Sequence, residues 1–120
     1  MNANTTALQH EHGDLLRMLG YAYLQNGQPE RALPLFRLLH AIDAKDVHAA
    51  ESLACTLLHL QRADEAVAIL ERLVRDETAT PLTWLLRGQA LVLLGRMPEA
   101  ARSMRVFIAV RKRQDFWRGH

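Results

Sequence analysis

One cysteine, Cys55, stands among 120 residues. The chain therefore has no internal disulfide framework and no cysteine-based zinc site. A lone thiol fits a reducing cytoplasm. Proline is scarce at four residues and glycine at six, and aromatic residues make up 6%, so long stretches run without a helix breaker. β-Branched residues are few beside leucine and alanine, which favours helix over strand. No apolar run approaches the ~18 residues that span a bilayer. Met1 to His12 is polar and lacks the apolar core of a secretory leader. Hydrophobic residues reach 49%, too many for a disordered chain. The expectation is one soluble, cytoplasmic, all-α domain.

Lysine is nearly missing as well. Arginine outnumbers it thirteen to two, which beside abundant alanine and leucine reads as a GC-rich bacterial origin. The net charge of +2 hides an asymmetry. Residues 1–95 carry eight basic and eleven acidic side chains, whereas residues 96–120 carry seven basic and two acidic. A basic end of this kind binds acidic partners or nucleic acid. The run Arg111-Lys112-Arg113 is explained more economically as a solvated helix end favouring cations, so nucleic acid is not the expected partner.

Catalytic and cofactor signatures are missing too. There is no glycine-rich phosphate loop. His10 and His12 flank Glu11, but two residues apart on a helix they point to different sides. His48 and His59 are eleven residues apart, about three turns, too far for one ion. Cys55 lies one turn from His59, a spacing open to a nucleophile and base, yet a small residue on a packed helix is the simpler reading. No catalytic residue, metal or cofactor is expected.

What is present is a repeat. Residues 13–46, 47–80 and 81–114 align without gaps at a period of 34. Small residues coincide at Gly20, Ala54 and Gly88, and again at Ala32, Ala66 and Ala100. Turn positions coincide at Gly27, Gln61 and Gly95, and large apolar positions at Phe36, Leu70 and Met104. Each segment reads as helix, turn, helix. Gly20 and Ala32 let two helices approach closely, with Tyr23 and Phe36 filling the space beside them. Gly27 ends one helix in the left-handed region, and Pro29 with Glu30 opens the next. Gly95, Pro98 and Glu99 repeat the pattern. Pro34 falls inside a helix and should bend it. Residues 1–12 are left as a flexible segment and 115–120 as a tail.

These residues resemble the tetratricopeptide repeat family. The third segment carries Trp84, Gly88, Leu91, Gly95 and Ala100 at signature positions, and the first carries Leu19-Gly20, Tyr23, Gly27, Ala32 and Phe36. Within the family the chain is similar to the small chaperones of bacterial type III secretion, most of all the Y-type export chaperone. Leu15-Leu16 before Leu19-Gly20, the run from Gly27 to Ala32, and Trp84 ahead of Gly95 carry that likeness. It implies a short right-handed superhelix that stabilises a small secreted component and docks at the export gate. A generic assembly scaffold is the rival reading.

The resemblance also implies a concave groove lined by the first helix of each repeat. Its candidates are Arg17, Tyr21 and Leu24; then Glu51, Cys55, Leu58 and His59; then Leu82, Leu85, Gln89 and Val92. The apolar third set points to an amphipathic helical ligand, with Arg17 and Glu51 as rim charges. Met104, Phe107, Ile108, Phe116 and Trp117 form a second candidate interface near the C-terminus. Either the tail folds back over this face as a cap, or the face meets a partner and self-associates without one.

Overall fold

The structure, a computed structural model, describes the backbone of residues 3–119 and the side chains of residues 11–119. The described residues form six helices and no strand. They are α1 (Ala3–Gln25), α2 (Pro29–Ile42), α3 (Val47–His59), α4 (Ala63–Arg75), α5 (Pro81–Leu93) and α6 (Met97–Arg118). They pair as α1–α2, α3–α4 and α5–α6, and each hairpin packs on the next. The three hairpins coincide with the three 34-residue segments.

The turn inside each hairpin is the same structure three times. Gly27, Gln61 and Gly95 all adopt the left-handed conformation, at φ of 71°, 61° and 74°. The next amide bonds back five residues each time: Gln28 to the Tyr23 carbonyl at 2.8 Å, Arg62 to Leu57 at 2.8 Å, and Arg96 to Leu91 at 2.9 Å. This is the Schellman closure, which satisfies carbonyls that the helix leaves over. Gln61 adopts it with a side chain, against a steric penalty that glycine does not carry. Gln61→Gly is therefore expected to raise stability by about 0.5–1 kcal/mol, seen as a higher urea midpoint; an unchanged midpoint would show that the turn tolerates glutamine without strain. A further left-handed residue, Glu77 at φ 58°, closes α4 with Thr78 N–H on the Leu73 carbonyl at 3.0 Å.

The core is a ladder of aligned positions. Ala32, Ala66 and Ala100 are buried in succession, as are Phe36 and Leu70. Gly20 packs beneath the Phe36 ring: a methyl group on Gly20 would lie 2.6 Å from Phe36 Cζ. Gly88 packs likewise beneath Met104, whose Cε and Sδ would be 2.9 Å away. The close approach inferred from sequence is thus a glycine against a large side chain of the partner helix. Pro34 lies inside α2, which continues through it to Ile42, so the missing N–H is tolerated on an exposed face.

Both ends differ from the sequence expectation. Residues 3–12, assigned to a flexible segment, are continuous with α1, since no proline or glycine separates Ala3 from Gly13. The expected tail from 115 is the last turn of α6, which runs to Arg118 without folding back. Trp117 is 72% exposed, so it caps nothing.

Candidate functional site

The first helices of the hairpins lie side by side, and the candidate groove residues fall into two groups along them. The first group is used up in joining one hairpin to the next. Arg17 Nη2 donates to Asp46 Oδ2 at 2.8 Å, and Asp46 is the residue that caps α3, accepting the Ala49 N–H at 3.2 Å. Tyr21 shares a hydrogen bond with Ser52 at 2.9 Å and tilts against the Phe36 ring at 5.4 Å.

Glu51 corrects the sequence reading most sharply. Expected at the rim, it is only 3% exposed. Its Oε2 accepts hydrogen bonds from Thr80 Oγ1 and Thr83 Oγ1, each at 2.6 Å. Those threonines form the capping box that starts α5. Arg17 and Glu51 are counterparts one repeat apart, and each grips the cap of the next hairpin, 29 residues on. A buried carboxylate persists only when donors surround it, and here Thr80 and Thr83 supply them. The legible signal was the Thr-x-x-Thr spacing ahead of an apolar run. Its partner, distant in sequence, was not legible.

The second group forms a real surface feature. Leu58 and His59 of α3, Gln89, Val92 and Leu93 of α5, and Met104 of α6 surround a depression of about 520 Å³, closed at one edge by Gln61. Four of the seven are groove residues expected from sequence. Gln61 is new to the site, brought there by its left-handed turn. Leu82 is exposed in the first turn of α5 and does not line the depression, Leu85 is half-buried, and Leu24 packs on the core. The wall is apolar, and its polar groups are the amides of Gln61 and Gln89 and the His59 ring.

Cys55 is half-buried beside this depression, and burial pushes its thiol above the usual range. His59 Nδ1 lies 2.9 Å from the Cys55 carbonyl oxygen and 3.8 Å from Sγ, so the ring is committed to the backbone. A protonated thiol and an occupied imidazole do not make the activated pair that nucleophilic chemistry needs. Among the described residues no three His, Cys, Asp or Glu side chains converge on a metal position; the His10 side chain lies outside the described residues. No described helix is long and apolar enough to cross a membrane.

The second candidate interface is spread along α6. Met104 belongs to the depression, Phe107 is half-buried, and Ile108, one turn beyond Met104, is exposed. Phe116 and Trp117 stack edge to face at 5.7 Å, exposed beyond the hairpin. They therefore do not form one patch.

Stacked helical hairpins with an identical turn, small-residue contact and apolar groove define a helical repeat protein. Residues 23–90 match the tetratricopeptide repeat family, and residues 81–105 match a second tetratricopeptide repeat family. The chain belongs to the tetratricopeptide repeat family, whose members bind protein partners. Protein FlbA of Caulobacter vibrioides is 29% identical over 89 residues, 74% of this chain but 15% of its own length. The TPR domain of Arabidopsis FLU superposes with a TM-score of 0.71 at 19% identity, over 83% of this chain and 94% of that one. That likeness is one of fold.

Proposed function

We propose that the chain is a non-catalytic chaperone of bacterial type III secretion that works in the cytoplasm. It holds an amphipathic helical segment of a small secreted component in the depression between α3, α5 and α6, and presents it at the export gate. The depression carries the binding half of this reading. Exposed Val92 and Leu93 stand over a floor of Leu58 and Met104, and apolar surface buried there yields about 25 cal/mol per Å² before ordering costs. The secretion half rests on the residues shared with the Y-type chaperones: Leu15-Leu16, the run from Gly27 to Ala32, and Trp84 ahead of Gly95.

Val92→Glu is the sharper test of the depression than a change at Leu85, whose half-buried side chain contributes to the fold as well. Val92 is 45% exposed, so a carboxylate there leaves the fold alone but is buried unpaired by a ligand. Partner capture should fall more than about tenfold with an unchanged circular dichroism spectrum, because central contacts carry most of the affinity. Arg113→Glu should capture normally. Capture that survives Val92→Glu and fails on Arg113→Glu moves the binding site to the basic end, and nuclease treatment then separates an acidic protein from nucleic acid. Mass spectrometry of the chain co-purified from the native host tests the secretion half: a partner unrelated to export leaves a general assembly scaffold.

A further inference from the structure

The 34-residue spacing gives every junction position a counterpart in the other hairpins. In α3 the positions on the face that meets the preceding hairpin, where Ser52 bonds Tyr21, are Ser52 with Ala49 and Thr56 one turn to either side of it, and all are buried. In α5 they are Thr83, Leu86 and Ala90, buried likewise. Their counterparts in α1 are Leu15, Met18 and Ala22. All three are exposed, Met18 at 69%. The face of α1 that matches the internal stacking face is thus apolar and open among the described residues.

The other end is its complement. At the junction of the first two hairpins, His40 lines a cavity of about 220 Å³ with Arg72 and Asp76 of the following hairpin. The same trio, set between the third hairpin of one copy and the first hairpin of another, becomes Ile108 with Leu38 and Ile42. A polar trio inside the chain is replaced by an apolar trio at its two ends, and all three are exposed, Ile108 at 49%. Leu58, buried under the third hairpin, has Val92 as its open counterpart.

We propose that copies of this chain associate head to tail, with α5–α6 of one seating α1–α2 of the next in the register that stacks hairpins within the chain. The occupant follows from the continuity of that interface, because the surface matched to the α1 face is the one that α5–α6 presents. Charge agrees. The α6 turns beyond residue 110 and the α1 turns ahead of residue 13 leave the junction in the same direction, side by side. Basic Arg111 and Arg113 thereby run along Glu11 and Asp14, all exposed. One like pair results, Arg105 against Arg31 where Arg37 meets Glu65 within the chain at 3.0 Å; both are exposed and screened by solvent. Such an interface is heterologous, so growth is open-ended unless an end is blocked.

The test is sedimentation velocity on the full chain from micromolar to near-millimolar concentration, with Met18→Glu and Ile108→Glu. Both residues are exposed, so folding, checked by circular dichroism, stays as in the unmodified chain. The unmodified chain should grow past dimers as concentration rises. Each variant alone should remain monomeric, and an equimolar mixture should form a dimer and stop there, through the one junction left intact. A chain monomeric at every concentration overturns the proposal. So does a mixture that stays monomeric. Dimers of Ile108→Glu alone or of Met18→Glu alone overturn it in favour of a two-fold interface through the first or the last hairpin.

Discussion

Gly20→Leu is expected to disrupt the first hairpin, with a loss of more than about 3 kcal/mol in urea unfolding. The Phe36 ring is fully buried, and a Cβ on Gly20 would already sit 2.6 Å from Cζ and 2.9 Å from both Cε atoms. Carbon atoms pack at roughly 3.5–4.0 Å, so helix α1 must move off α2. The ring has no escape, because Tyr21 tilts against it. Total stability is of order 5–15 kcal/mol, so such a loss is a large part of it. Gly88→Ala should behave differently. Its added methyl meets the unbranched side chain of the half-buried Met104 at Cγ, Sδ and Cε, which is more adaptable than a ring, and alanine is the better helix former by about 1 kcal/mol. Stability within about 1 kcal/mol of the unmodified chain is expected there. Equal losses at Gly20 and Gly88 would show that the two contacts are equally rigid.

Glu51→Ala is expected to cost about 3 kcal/mol, and Glu51→Gln about 1 kcal/mol. The carboxylate is the acceptor for the hydroxyls of both Thr80 and Thr83. Alanine removes it, leaves the buried Thr83 hydroxyl and the half-buried Thr80 hydroxyl without that acceptor, and opens a cavity at the start of α5. Glutamine keeps an oxygen but loses the charge that strengthens both bonds. Since about 1 kcal/mol shifts the melting temperature by several degrees at this chain length, calorimetry resolves the order. A rim residue would behave in the opposite way, changing partner binding and not stability. An unaltered melting temperature for Glu51→Ala would return Glu51 to the rim.

These outcomes depend on features of unequal legibility. The hairpins, their boundaries near 46 and 80, and the left-handed turns at 27, 61 and 95 all follow from local rules that a 34-residue repeat states three times. Gln61 was readable as a turn only because it aligns with two glycines. That Leu58 and His59, and likewise Gln89 and Val92, lie toward one side of their helices was readable because helical spacing decides which side chains share a face, and the family resemblance named that side as the groove. Glu51 was misread by the same reasoning. The repeat placed it at Arg17's counterpart position, correctly, but helical phase says nothing about which side chain from the next hairpin arrives there.

The ends of the chain mark the same boundary. Residues 3–12 and 115–118 carry no breaker, so their helical state was available from composition, yet the repeat alignment drew attention to where the period stops. By itself the sequence determined the class of fold, the number of hairpins and the faces of each helix, because propensity, turn chemistry and periodicity act over a few residues. Only the tertiary structure decided that Arg17 and Glu51 bind hairpins together, that Gln61 and Met104 help to enclose the depression, and that α6 leaves Trp117 exposed at 72%. Those are contacts between residues far apart in the chain, and burial, which sets whether a charge is a rim group or a clasp, exists only once the hairpins have stacked.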